Sequence, residues 1–490
     1  MKVTYVVCAV LTVMCSCINA FAQQQVEYRE CDTEIMWQKA LQKNPELAEK
    51  AKMSLEFFRE YAGPDQKVET SSVPVLYIIP TVFHVIHDYG IEDISKAQIL
   101  DAIDILNKSF QKLNDDTNDV IPLFQPIFAD CQIEFRLATL DPSGNCTDGI
   151  NRIQSDDTYN AGDNVKGLID WPSNKYLNIW VVSNIGSGAA GYSYYPGISS
   201  GDDGIVIRHD YVGGIGTSNG SNYTERSLTH EVGHWLNLPH TWGSTNTPGD
   251  PANCGTDDGV FDTPNTAGTN NFSCNVNQNT CGQIDNVQNY MDYAGCHKMF
   301  TNGQKARMHA ALNSGIGQRN NLSTPSNLAA TGTEDGTLET ICNPVADFSD
   351  RNLAICSGTQ VHFKDLSWGD DITSWQWTCP GGTPASSTSA NPVIQYDVPG
   401  IYDVTLNVGT ATGNSQLTRT AFVQVLEDTG LITVPYTEGF ETISLSGSGW
   451  TTENPDNNNT WAITSVAGAS GNKSLQLINQ TGNSSGSRDA

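Results

Sequence analysis

LTHEVGHWLNLPH, residues 228–240, decides how the rest of the chain is read. Three of the nine histidines in 490 residues fall inside it, together with Glu231. Positions i and i+4 of a helix share a face, so His230 and His234 aim two imidazoles at one point with Glu231 beside them. Two neutral nitrogens and an open side suit zinc, which in catalytic sites takes three protein ligands and keeps a fourth position open. His240 is the obvious third ligand, but a continuing helix would turn it away. Asn237 tolerates the left-handed backbone that ends a helix, and Pro239 cannot continue one. The run is therefore predicted to break there and bring His240 back to the metal. A structural zinc fits less well, since such sites favour cysteines and four protein ligands and need no acid alongside. His84, His87, His209, His297, His309 and His362 lack this spacing and read as packing or surface residues.

Around this stretch the hydrophobic pattern alternates between strand and helix. Val75 to His87 reads as a buried strand, with Pro80 placing it near an edge or a bend. Ser95 and Gln98 cap a helix whose face carries Ile99, Ile103, Leu106, Phe110 and Leu113. Ile133, Phe135 and Leu137 alternate as a strand, and Leu177 to Ser183 and Ile205 to His209 suggest two more. Asn222 with Glu225 forms a capping box expected to open the histidine helix, and Thr301 with Gln304 opens a last one. Residues 241–288 are irregular and rich in Gly, Asn, Asp and Thr.

The formal charge of −28 argues against nucleic acid or an anionic membrane surface as partner, since both would repel it. Residues 1–22 have the basic start, short apolar run and Ala20-Phe21-Ala22 end of a secretory signal peptide. No later stretch is apolar enough to span a membrane, so the mature chain is expected outside the cytoplasm, secreted or held at the cell surface. Ten cysteines follow the leader, in a compartment where disulfides persist. Residues 23–73 read as a polar, helix-prone pro-segment with one isolated cysteine, Cys31; 74–320 form the body around the histidines. Residues 321–343 have a linker's composition, 344–427 show the short strands of an all-β sandwich, and 435–490 start a further β segment too short to close its edges.

HEVGHWLNLPH followed by Asn289-Tyr290-Met291-Asp292-Tyr293 resembles the metzincin zinc peptidases, within them the pappalysin/ulilysin type (cytophagalysins). FDTPN and FTNGQKARM agree, and the likeness covers about 75–320. It implies an α+β catalytic domain, with a twisted mixed sheet, an active-site helix and an irregular C-terminal subdomain, followed by all-β sandwich domains. It implies zinc on His230, His234 and His240, Glu231 as general base and then acid, Met291 packed beneath the metal, and Tyr293 on the oxyanion. AAGYSYY, 189–195, resembles the edge strand along which members bind an extended peptide.

The sequence departs from the pattern at Asn237, where most metzincins have glycine. It departs again at Ala294-Gly295, where members that prefer basic residues carry an acid. Cys254, Cys274, Cys281 and Cys296 allow three pairings, of which the family pattern implies Cys254–Cys281 and Cys274–Cys296. Cys131–Cys146 and Cys356–Cys379 are the other expected pairs, leaving Cys342 unassigned. Asp257, Asp258, Asp262 and Thr263 resemble a calcium-binding segment, against the alternative of a solvated acidic turn. Cys31 is a candidate zymogen switch whose thiolate fills the open metal position; Asp32 could act likewise, and a plain unpaired thiol is the other reading. WQW and VPGIYDVTL at 375–377 and 398–406 resemble a PKD-type domain.

Two classes of function follow. One is a secreted zinc endopeptidase, made as a zymogen, acting on extracellular proteins or peptides. The other is an adhesin or glycan-binding protein with an inert peptidase-like domain. Glu231 discriminates between them, because an inert relic has no use for a general base.

Overall fold

A computed structural model describes residues 29–44, 76–198, 201–336, 342–349, 353–369, 372–411 and 413–426, with scattered residues in 46–58 and two short strands in 462–476. The leader and nearly all of 435–490 lie outside the described residues. The chain divides into two compact units, 1–145 with 149–337, and 338–490 with 146–148.

The first unit is built on a seven-stranded mixed sheet. Its strands are β1 (Arg29–Cys31), β2 (Tyr77–His87), β3 (Ile133–Leu137), β4 (Ile150–Gln154), β5 (Leu177–Val182), β6 (Ala189–Ser193) and β7 (Ile205–Arg208). The order is β1-β6-β7-β5-β2-β3, with β4 continuing beside β2 beyond β3. All pairings are parallel except β6 with β7. Among the described residues, helices α1 (Thr33–Lys43), α2 (Lys96–Phe110), α3 (Ser227–Trp235), α4 (Asn302–Asn313) and α5 (Pro325–Thr331) accompany it. Strand period divides the sheet into two buried faces. Ile179, Val181, Ile205 and Ile207 join the core under α2, α3 and α4, whereas Trp180, Val182, Tyr192 and Val206 join a second cluster that takes in Trp37 of α1.

Several expectations change here. Pro80 lies inside central β2, not at an edge; β5 pairs only from Thr81 onward, so the missing N–H falls where one flank has no ladder. Leu113 lies past the end of α2 and is 62% exposed. Gln98 does not close a capping box: Ser95 Oγ accepts its backbone N–H, but its carboxamide reaches His209 O and Val212 O. Asn222 to Glu225 form a turn, in which Ser221 Oγ accepts from Thr224 N, and α3 begins only at Ser227. The Thr301–Gln304 box is complete. Within the stretch read as a linker, α5 is ordered, and the Thr331 carbonyl accepts from Thr139 N and Leu140 N.

The second unit has a five-stranded and a three-stranded sheet around a core that includes Trp377, Phe348, Phe363 and Phe422. Two cysteine expectations fail. Cys146 is bonded to Cys342, while Cys131 is buried in the core of the first unit without a disulfide. Cys356 and Cys379 are also unbonded. In the strand Leu353–Cys356, Leu353 and Ile355 turn inward, so alternation sends Cys356 outward while Cys379 is fully buried. Cys254–Cys281 and Cys274–Cys296 are bonded.

Candidate active site

Helix α3 is buried along its whole length. Leu228, Val232 and Trp235 pin it to the main core. The chain then leaves the helix through Asn237, whose φ of 75° is the left-handed turn. Asn237 N donates to His234 O at 2.8 Å, and Leu238 N to Gly233 O at 2.9 Å. This turn aims the Leu238 carbonyl back at His234 Nδ1, 2.7 Å away, and His230 Nδ1 lies 2.7 Å from the Tyr290 carbonyl.

Those two contacts fix the tautomers. A carbonyl only accepts, so both Nδ1 atoms carry the proton and both Nε2 atoms present lone pairs. Yet the Nε2 atoms of His230 and His234 stand 3.0 Å apart, and those of His234 and His240 stand 3.2 Å apart. Between His230 and His234 there is no proton to share, so the arrangement suits a cation. Zinc–nitrogen bonds of ~2.0–2.1 Å in a tetrahedron separate ligand nitrogens by roughly 3.3 Å, close to what is seen. Cys31 Sγ completes the group: the thiol and the three imidazoles place four ligand atoms within 4.8 Å of one another, all buried. Asp32, though buried, is not part of this group among the described residues.

Burial disfavours charge throughout this ring. It lowers His230 to about 4 and His234 and His240 well below the ordinary imidazole value, the last two with added repulsion from neighbouring histidines. It raises Glu231 to about 8 and pushes the Cys31 thiol up, helped by the Glu231 charge.

The surroundings hold this geometry. Trp242 stacks on His240 with ring centroids 4.3 Å apart and planes 3° from parallel. The Tyr293 hydroxyl is 3.0 Å from His240 Nε2 and 3.4 Å from the Cys31 carbonyl. Met291 lies under α3 at Gly233, where any Cβ would collide with its Sδ. Arg307 of α4 donates from Nε to Asn237 Oδ1 at 2.9 Å and from Nη1 to the Asp258 carbonyl at 2.8 Å. The asparagine thus supplies both the turn and an acceptor that glycine lacks. On the cleft's other wall, a Cβ at Gly191 of β6 would stand 3.2 Å from Glu231 Cγ.

The N-terminal segment fills the cleft between these walls. β1 pairs with β6, Cys31 opposite Gly191. Thr33 Oγ1 donates to Glu231 Oε2 at 3.2 Å and accepts from Ser193 N at 3.0 Å.

The acidic loop is only partly assembled. Asp258 holds the Thr263 hydroxyl at 2.7 and 2.8 Å. Asp262 instead accepts from Thr301 Oγ1 and Gly303 N at the start of α4, and Asp257 accepts from Gly259 N on an exposed turn.

The family model described as pregnancy-associated plasma protein-A matches residues 144–313, and a PKD-domain model matches 342–425. A mutant of promirolysin from Tannerella forsythia is 30% identical, with a TM-score of 0.52, over 60% of this chain and 97% of that one. The chain belongs to the pappalysin family. Relatives of this pappalysin include extracellular metalloproteases of Verticillium alfalfae, 33% identical over 39% of the chain, and of Podospora anserina, 31% identical over 39%. The matches span 66% and 64% of those two proteins, just under two thirds. No helix among the described residues is long and apolar enough to cross a membrane.

Proposed function

We propose that the chain is the latent form of a secreted zinc endopeptidase that cuts extracellular proteins or peptides. The observation that carries this reading is the thiol of Cys31 meeting the three imidazoles while β1 lies on the edge strand of the cleft. His230, His234 and His240 would hold the ion, with Cys31 as fourth ligand until residues 23–73 are removed. Zinc, once bound there, acts as a Lewis acid and lowers the pKa of water.

The protein's own groups account for the rest. Glu231 takes a proton from the attacking water as its oxygen adds to the peptide carbonyl carbon. It returns that proton to the amide nitrogen as the C–N bond breaks. The Tyr293 hydroxyl, freed from the Cys31 carbonyl, donates to the oxyanion. Met291 acts by packing beneath the ligands. The calcium reading of Asp257, Asp258, Asp262 and Thr263 belongs to this proposal and rests on the buried Asp258–Thr263 pair. Contact of the PKD-type unit with surfaces or glycans is proposed from the exposed Val398 and Ile401.

The decisive experiment compares processed chain and its Glu231→Ala variant on casein, with and without a zinc chelator. A loss of roughly 10²–10⁴-fold is expected in the variant. If processed, zinc-loaded wild-type chain cuts neither casein nor a broad peptide library, the adhesin reading replaces this one.

A further inference from the structure

One ring beyond the metal ligands the cleft carries an aromatic surface that the peptidase chemistry does not use. Tyr195 meets His234 edge-on at 5.7 Å and Trp37 of α1 edge-on at 5.5 Å. Tyr194 lies 6.3 Å from Trp37 on the same side. Trp37 is 5% exposed, and Met36, Ala40 and Leu41 of α1 pack against the same cluster. Each of these apolar groups comes from the segment that the proposed activation removes.

Part of this surface is held from outside that segment. The hydroxyls of Tyr192 and Tyr194 both donate to Asp163, at 2.9 and 2.8 Å. Lys166 pairs with Asp163 at 3.0 Å and donates to the Asp202 carbonyl at 2.7 Å. Its ammonium also lies over the rings of Tyr192 and Tyr194, at 4.9 and 4.4 Å. This ion pair, with Lys166 buried and Asp163 open to solvent, thus holds Tyr192 and Tyr194 through residues belonging to the body of the unit. Loss of α1 uncovers a prebuilt apolar shelf, and its position is set by β6. From Gly191, level with Cys31, to Tyr195 is four residues, or ~13 Å of extended chain.

We propose that this shelf is a substrate subsite: it takes an aromatic or large apolar side chain lying three to four residues from the bond that is cut. The proposal rests on the peptidase reading and names its substrate class. It follows from continuity with the edge strand, since a peptide lying on β6 with its reacting bond at Gly191 reaches Tyr195 after that length. Trp37 shows the size and chemistry the shelf accommodates. In the latent chain the Tyr195 hydroxyl donates to Glu34 Oε1 at 2.5 Å, a bond that leaves with the segment.

The test uses the processed, zinc-loaded chain on a randomised peptide library, with cleavage products read by mass spectrometry. Enrichment of Trp, Phe, Tyr or Leu three to four residues from the scissile bond, on one side of it, is expected. Paired peptides carrying Trp or Ala at the enriched position should then differ by about ten-fold in kcat/KM. That ratio should fall towards one in Tyr195→Ser and persist in Tyr195→Phe, which keeps the ring. Cleavage without enrichment overturns the subsite, as does an unchanged ratio in Tyr195→Ser. So does native mass spectrometry finding the cut segment still bound to the processed chain, which would make the shelf that segment's own seat. No cleavage of any peptide sinks the underlying peptidase reading instead, a result distinct from unselective cutting.

Discussion

The floor and the cover of the site are held by different kinds of atoms. The floor uses groups that take no part in the reaction. The carbonyls of Tyr290 and Leu238 orient His230 and His234, and Arg307 ties Asn237 to the Asp258 carbonyl. The cover, residues 29–44, binds through the working groups themselves. Cys31 joins the histidines, Thr33 holds the Glu231 carboxylate, and Glu34 holds the Tyr195 hydroxyl. On the proposed activation the floor would survive, because nothing in it must be surrendered. On the proposed function the cover would block the site because Cys31 and Thr33 occupy the imidazoles and the carboxylate that catalysis needs.

Breaking the cover should give the largest effect. In unprocessed chain, Cys31→Ser removes the sulfur ligand and should raise peptidase activity by roughly 5- to 150-fold, the usual span of a coupling between two sites. Casein hydrolysis before any chain cleavage, followed on gels, would show it. An unprocessed variant as silent as wild type would mean that pairing with β6, not the thiol, keeps the chain latent.

Breaking the floor should act on the metal and spare latency. Arg307→Met, and Asn237→Gly, which keeps the turn but loses the acceptor, should each weaken zinc binding by about 10- to 100-fold. Competition with a chromophoric chelator measures this. Unchanged affinity in both would reduce the clamp to ordinary packing.

The smallest effect concerns the hold of the cover at its rim. Burial raises Glu34 to about 7, against a weaker lowering by its Tyr195 hydrogen bond. Its folded pKa thus lies above the unfolded value of about 4.3. The neutral form suits the buried site, so its contribution is complete at low pH and is lost as pH rises through about 7. The segment should become severalfold more sensitive to limited proteolysis between about pH 6 and 8. Glu34→Gln should flatten that dependence; an identical profile in the variant would assign it to another group.

Local chemistry was legible in the sequence, and distant partners were not. Helix period placed His230 and His234 together, and the conformational tolerance of asparagine foretold the turn at Asn237. The family pattern carried the pairs Cys254–Cys281 and Cys274–Cys296. Cys131–Cys146 failed because nearness in sequence says nothing of direction: Cys131 faces the core, and Cys146 finds Cys342, 196 residues on. Arg307 was missed for the same reason, since only the fold brings α4 against Asn237. Trp242 was in view, two residues after His240, but stacking on a ligand depends on a turn that spacing does not describe.

Strand β1 also has a consequence for how the molecule is made. A bare sheet edge offers unpaired N–H and C=O groups to any neighbouring chain and invites aggregation. Here β1 covers β6 with backbone from the chain's own N-terminal part, which leaves the ribosome first. Uncleaved folded molecules therefore meet one another with that edge already paired. On the proposed activation the edge would be laid bare only by cleavage, at the point where the same groups are wanted for a peptide.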